Sequence, residues 1–175
     1  MSNRIYSLQR IQTWDEAWCL RFNRASTNPA ICNAFRVVSR LGDGIFWYFL
    51  MLCLLVIYQS DAMLPVLHMA AAGLVCTVLY KWLKLKTHRP RPYNNLGINR
   101  GIAPLDQFSF PSGHTLHAVA FTIIALNYYP ALAWLLLPFT ALVAISRLIL
   151  GLHYPSDVLA GIIIGATISG LSLSL

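Results

Sequence analysis

Residues 131–175 read ALAWLLLPFTALVAISRLIL, then GLHYP, then SDVLAGIIIGATISGLSLSL, and this stretch decides the fold. Ala131–Leu150 and Ser156–Leu175 are apolar segments of the length needed for a helical membrane crossing, about 20 residues. Gly151–Pro155 is a polar turn between them. A helical hairpin in a bilayer is the simplest structure that satisfies every backbone amide of both segments. The polar residues it keeps are confined to one end: Ser146 and Arg147 at the close of the first segment, His153 in the turn, and Asp157 in the first turn of the second.

Working upstream, three more apolar segments occur, at Gly44–Tyr58, Ala62–Leu83 and Thr115–Tyr129. The first and third fall short of a full crossing and extend into flanking residues or end below the headgroups. Gln59-Ser60-Asp61 and Pro130 are linkers so short that they close antiparallel hairpins. The long linker runs from Lys84 to His114. With five crossings, the N-terminal region, this linker and Gly151–Pro155 share one face. The expected architecture is all-α: an integral-membrane bundle of about five transmembrane helices, in a single domain over residues 1–175 with its core at 44–175.

Residues 1–43 carry Arg4, Arg10, Arg21, Arg24, Arg36 and Arg40, and do not resemble a span. Ile11, Trp14, Trp18 and Phe22 recur at helical spacing, which fits an amphipathic helix in the interface with Trp at headgroup depth. A helix packed on the bundle fits the same pattern. The region lacks the apolar stretch of a cleavable signal peptide, so insertion is expected to use the internal spans. Gly161 and Gly165 form a small-x-x-x-small pair suited to close helix packing.

Composition agrees with a lipid solvent. Hydrophobic residues make up 57% and charged residues 11%, too little polar surface to cover a soluble domain. Mean hydropathy is +0.59. The formal charge of +7 flanks apolar helices and forms no solvated patch. Nucleic acid is therefore a poor partner, and anionic lipid headgroups or a phosphate-bearing substrate are better ones. Cys53 and Cys76 lie in apolar segments as small hydrophobes. Cys19 and Cys32 could pair only if the N-terminal region is exported, and no C-x-x-C spacing suggests a metal site.

The chemistry lies in three places: Lys84-Leu85-Lys86-Thr87-His88-Arg89-Pro90-Arg91-Pro92, Pro111-Ser112-Gly113-His114, and Ser146 to Asp157. Hydrolysis of a phosphate ester spreads negative charge over equatorial oxygens, so it needs positioned cations, a nucleophile and an acid. Lys84, Arg91 and Arg147 can supply the cations, the arginines with bidentate donors. Lys84, Lys86 and Arg89 taken singly read as side chains snorkelling from a helix end. Arg147, after Ala-Ile-Ser at the end of a span, needs an anionic partner. Ser112 and Gly113 precede a helix whose free N–H groups favour an anion, although Ser also serves as a plain N-cap. His153 stands before Pro155, a good first helical residue. Asp157 can reach one imidazole nitrogen, leaving the other to attack phosphorus. His114 would protonate the leaving oxygen. His117, one turn beyond His114, finds no neighbouring carboxylate or cysteine to complete a ligand set, so neither metal nor cofactor is expected. His68 is mid-span and expected to be hydrogen-bonded in the bundle. Asp43 has no assigned role, and Asp106 could orient a group beside the site.

Lys84…Arg91-Pro92, Pro111–His114 and Ser146-Arg147…His153…Asp157 together resemble the three signatures of the type-2 phosphatidic acid phosphatase superfamily, complete and in order. Gly42-Asp43-Gly44 is similar to that family's lead-in to its first core helix. The resemblance implies a metal-independent phosphatase working through a phosphohistidine. In it His153 is the nucleophile, Asp157 its partner and His114 the general acid. Lys84, Arg91, Ser112, Gly113, Arg147 and, more loosely, Ser146 hold phosphate. The expected substrate is a lipid phosphate or pyrophosphate: phosphatidylglycerol phosphate, phosphatidic acid, undecaprenyl pyrophosphate or the lipid A 1-phosphate. The resemblance places the protein in a bacterial inner membrane with its site facing the periplasm or exterior. The positive-inside rule points the other way, because every Lys and Arg falls on the site's side. Two other classes compete. A vanadate-dependent haloperoxidase has a similar site but is soluble. A phosphate-lipid binding or transport protein needs no acid opposite a nucleophile.

Overall fold

The structure, a computed structural model, describes residues 2–174, with side chains described from Arg10 to Ser174. Arg4 and Leu175, which figure in the sequence reading, lie outside the described side chains. Among the described residues eight α-helices follow one another: α1 (Ser2–Asn23), α2 (Pro29–Arg40), α3 (Phe46–Tyr58), α4 (Met63–Thr87), the single turn α5 (Pro92–Asn95), α6 (Gly113–Tyr128), α7 (Ala133–Ile149) and α8 (Pro155–Leu173). No strand occurs among the described residues.

The helices fall where hydrophobic segments predict them. Three helical stretches are long and apolar enough to cross a membrane: Pro29–Asn95, Pro130–Ile149 and Pro155–Leu173. The first runs through both α3 and α4. The two segments expected to be short remain so, with 13 residues in α3 and 16 in α6. The α4 helix continues a turn past Leu83, carrying Lys84 and Lys86 in its last turn, where cations complement the C-terminal dipole. His88, in the left-handed conformation at φ 47, closes it.

The outside is apolar as well as the inside, unlike a soluble bundle. Leu52, Val56, Leu64, Leu74, Trp134 and Ile163 are exposed, which is the natural state of such residues in lipid and not in water. Trp47, Met69, Phe121, Leu136 and Val143 form the interior. The Trp47 ring sits 5.3 Å from that of Phe121 and 5.7 Å from that of Phe139.

Helix α6 packs most extensively on α8. A Cβ at Gly161 would lie 2.7 Å from the Ser112 carbonyl oxygen, and one at Gly165 2.5 Å from that of Leu116. The two backbones touch because both positions lack side chains, as small-residue pairs allow in membranes. Buried Ser169 continues the stripe and donates to Gly165 O at 2.9 Å. His68, mid-span as expected, pairs through Nδ1 with Tyr128 Oη at 3.1 Å.

The N-terminal region is more integrated than an interfacial helix alone would be. Helix α1 packs against α7 and α8. Ile11, Trp14 and Trp18 do face outward, while Asp15 and Cys19 are fully buried against the bundle. The pattern is inverted: polar and small residues face in, because they meet the polar end of the bundle. Asn23 fixes the end of α1 by donating from Nδ2 to Asn99 O and Ile149 O, both at 2.9 Å. Between α2 and α3 the chain passes through one wide turn, Leu41–Ile45, in which Gly44 takes φ 125. A side chain there would be strained, and the turn carries Asp43 inward.

Candidate active site

The three polar segments converge through backbone ties. Ser109 N and Oγ donate to Arg89 O and Pro90 O, at 2.9 and 3.1 Å, which pins the linker's end to its beginning. Ser112 N donates to Asp157 O at 3.0 Å, joining the second segment to the third. Leu152 N and His153 N both donate to Arg147 O, at 3.1 and 3.2 Å, which folds the turn back over the end of α7. Helix α8 then starts on Pro155, with Asp157 Oδ2 accepting Tyr154 N at 2.8 Å, half of a capping box.

These ties enclose a cavity of about 440 Å³. Its polar end is lined by Lys84, Arg91, Gly113, His114, Arg147 and His153, together with Asp43 and Asp106. Its other end is apolar, with Met51, Ala70 and Phe121, and reaches Tyr48 and Leu74, which are exposed on the outer surface.

The cations are dry: Lys84 is 5% exposed, Arg91 2% and Arg147 3%. Charges so far from water need partners. Asp106 meets two of them, its Oδ1 accepting Lys84 Nζ and Arg91 Nη2, each at 2.7 Å. Lys84 also donates to Phe108 O at 2.8 Å, and Arg91 Nη1 to Leu152 O at 2.8 Å. Burial pushes the Asp106 carboxyl up, but the hydrogen bonds and charges of Lys84 and Arg91 outweigh it and hold the group below the ordinary carboxylate range. Arg147 Nη1 donates to Ser39 Oγ at 2.5 Å. Its Nε has no partner among the described residues, so its donor capacity is only partly used.

His153 is 1% exposed. Arg91 Nη1 lies 3.3 Å from its Nε2, on the cavity side. Asp157 Oδ2 lies 3.7 Å from its Nδ1, longer than a hydrogen bond. The carboxylate is drawn off by two other duties, the cap on Tyr154 N and an ion pair from Asp157 Oδ1 to Arg89 Nη1 at 2.6 Å. Burial, then the charges of Arg91, Arg147 and Lys84, hold the His153 imidazole well below its ordinary value, so it is a neutral base at neutral pH. His114, which also lines the cavity, has its Nε2 hydrogen-bonded to Asp43 Oδ1.

The structure therefore brings Lys84, Arg91, Gly113, His114, Arg147 and His153 to one cavity wall, with Asp157 directly behind His153. It does not bring the two serine hydroxyls there. Ser146 Oγ donates to Val143 O at 2.6 Å within its own helix, and Ser112 Oγ pairs with Thr115 Oγ1 at 2.9 Å. His117, on the same wall, has Nδ1 2.8 Å from Gly113 O and Nε2 3.0 Å from Thr77 Oγ1, so it joins α6 to α4. No group of three or more His, Cys, Asp or Glu able to hold a metal occurs among the described residues. All four cysteines are free thiols.

Sequence reasoning gave no role to Asp15 or Ser39, and undervalued Arg89, Asp43 and Asp106. A signal existed. The chain has only 6 acidic residues, and in so apolar a protein each is costly unless paired. Four of them, Asp15, Asp43, Asp106 and Asp157, gather around the basic segments.

A family model described as the PAP2 superfamily matches residues 61–175. The chain is 32% identical over 106 residues to the undecaprenyl-diphosphatase BcrC of Bacillus subtilis, a match covering 61% of this chain and 55% of that protein. It is 32% identical over 146 residues to phosphatidylglycerophosphatase B of the same organism, covering 71% of this chain and 59% of the relative. The chain thus spans less than two thirds of the length of either relative. The crystal structure of Aquifex aeolicus LpxE superimposes with a TM-score of 0.71 at 25% identity, over 88% of this chain and 93% of that one.

Proposed function

This chain belongs to the PAP2 superfamily, and on that premise we propose that it is an integral-membrane phosphatase acting on an amphipathic lipid phosphate or pyrophosphate. The observation that carries the proposal is the cavity itself. His153, with Nε2 3.3 Å from Arg91 Nη1, lines one end together with Lys84 and Arg147, and the other end is apolar and reaches the lipid-facing surface. A phosphate headgroup fits the first and a hydrocarbon tail the second.

In the proposed reaction the headgroup phosphorus lies against His153. Neutral His153, with its proton on Nδ1 toward Asp157, attacks phosphorus through Nε2. The N–P bond forms as the P–O bond to the leaving group breaks. His114 donates the proton that the leaving oxygen takes up. The phosphohistidine carries its positive charge beside Asp157. Water then attacks phosphorus and gives His114 a proton, the N–P bond breaks, and inorganic phosphate departs. Lys84, Arg91 and Arg147 stabilise the equatorial oxygens in both steps. Gly113 leaves the wall open to phosphate. Ser112 and Ser146 support the site from behind.

The proposed topology has five crossings, α3, α4, α6, α7 and α8, with residues 1–43 on the side of the site and the whole chain as one domain. The site faces away from the cytoplasm. Likeness to the undecaprenyl-diphosphatase and the phosphatidylglycerophosphatase supports undecaprenyl pyrophosphate and phosphatidylglycerol phosphate as the first substrates to test, with phosphatidic acid and the lipid A 1-phosphate beside them. Purified protein in detergent, offered this panel, is expected to release inorganic phosphate from at least one member. No release from any of them would overturn the proposal.

A further inference from the structure

Behind His153 and Asp157 lies a charge cluster that the proposed reaction does not use. Arg89 Nη1 donates to Asp157 Oδ1 at 2.6 Å and to Ser156 Oγ at 2.7 Å. Its Nη2 donates to Asp15 Oδ2 at 2.7 Å. Asp15 Oδ1 accepts Ser156 N at 2.9 Å, and its Oδ2 also takes the Ser156 hydroxyl. Both carboxylates are fully buried, and the Arg89 guanidinium lies 4.2 Å over the Tyr154 ring. Asp15 comes from α1, outside the segment that matches the family, residues 61–175.

We propose that Asp15 is a positioning residue for the phosphoryl transfer, balancing Arg89 so that Asp157 keeps a negative charge for His153. The inference rests on the proposed phosphatase reading. The charges around His153 make the need plain. Lys84 on α4, Arg91 in the linker and Arg147 on α7 surround its cavity side, with Asp106 from the linker and His114 from α6. On the far side Cys19 of α1 lies 3.8 Å from its carbonyl oxygen, and Asp157 is the carboxylate beside Nδ1. An Arg89 paired with Asp157 alone would leave that pair neutral. The cluster Asp15, Arg89, Asp157 carries one net negative charge, which the phosphohistidine cation requires.

The rival account is structural: Asp15 caps α8 and does nothing else. Asp15→Asn keeps the cap, because an amide oxygen still accepts Ser156 N–H, while its NH2 group removes both the charge and the acceptor that Arg89 Nη2 uses. Full-chain protein in detergent is assayed with short-chain phosphatidic acid, and folding is checked by thermal unfolding. For D15N the expected result is kcat lower by roughly tenfold to a hundredfold, by analogy with loss of a partner behind a metal-bound histidine, with KM within about twofold. Arg89→Gln added to it restores the net negative charge. The double variant is expected to be faster than D15N and to lose less than the product of the two single losses. Wild-type kcat in folded D15N, or a double variant slowed by the full product, overturns the inference while leaving the phosphatase reading intact. Where D15N does not fold, R89Q is compared with the double variant. Charge balance requires the double to be the faster, and a double no faster than R89Q overturns the inference. Failure of the wild-type protein to release phosphate from any lipid phosphate overturns both readings together.

Discussion

Gly161→Ala tests whether the α6–α8 contact sets the geometry of the reacting groups. The added Cβ would lie 2.7 Å from Ser112 O, about 0.7 Å inside ordinary van der Waals contact at 3.4 Å. The obstacle is backbone, which cannot rotate away, so the helices must separate by most of that distance. The strain falls at a sensitive joint. Ser112 N is hydrogen-bonded to Asp157 O, His114 is two residues beyond Ser112, and Asp157 is one helical turn before Gly161. A misplacement of about 1 Å in a reacting constellation costs on the order of 100-fold in rate, so kcat is expected to fall roughly thirtyfold to a hundredfold. Overpacking of this kind destabilises by about 1–3 kcal/mol, which thermal unfolding in detergent would register. Gly170→Ala is the control: nothing lies within 4 Å of its Cβ, and alanine's better helix propensity, about 1 kcal/mol, makes it neutral or favourable. Phosphate release from both variants decides the matter. A G161A protein with wild-type kcat, or a G170A protein equally damaged, would refute the reasoning.

Further outcomes follow from the same site. His153→Ala is expected to abolish phosphate release while the protein still inserts and unfolds at a normal temperature; substantial residual turnover would remove His153 as nucleophile. Orthovanadate should block turnover and EDTA should not, since on the proposed reading Lys84, Arg91 and Arg147 would supply the charge that a divalent ion supplies elsewhere; loss in EDTA restored by a metal would oppose this. A histidine held well below its ordinary value of 6.5 stays neutral as pH falls through 6.5, so the acidic limb of kcat/KM should lie well below that pH, and a limb at or above it would contradict the burial argument. With native cysteines removed, a cysteine at Asn95 should react with a membrane-impermeant thiol reagent in intact cells; labelling only after lysis would put the site on the cytoplasmic side, as the arginine count suggests.

Much of this was legible in one dimension because membrane helices announce themselves by composition alone. The apolar runs located α3, α4, α6, α7 and α8, and a bilayer leaves those runs few alternatives. Lys84, Arg91, His114, Arg147 and His153 were legible because charged and titratable groups at helix ends in such a chain are expensive without a purpose. Less legible were pairings made across sequence. Asp15 meets Arg89 74 positions away, and Asp43 meets His114 71 away. No local period encodes either. A serine beside an anion site reads as a donor to it, and in the structure the hydroxyls of Ser112 and Ser146 each have a partner close by in sequence. In α1, helical spacing of Trp14 and Trp18 identified an apolar stripe without saying which way it faced.

Asp106 is itself an anion seated on two of the cavity's cations. Its carboxylate holds Lys84 and Arg91 at the distances a phosphate oxygen would, yet its side chain remains 38% exposed, in the irregular stretch between α5 and α6. An incoming headgroup must share those cations with Asp106 or displace it. Affinity is then a difference between two anions competing for one pair of cations, and not the gross attraction of the cradle. A lipid brings tail contacts along the apolar end of the cavity to tip that competition. Inorganic phosphate brings none. On the proposed reading, this exchange would favour a lipid phosphate over inorganic phosphate, and would let a site built from buried cations release its product.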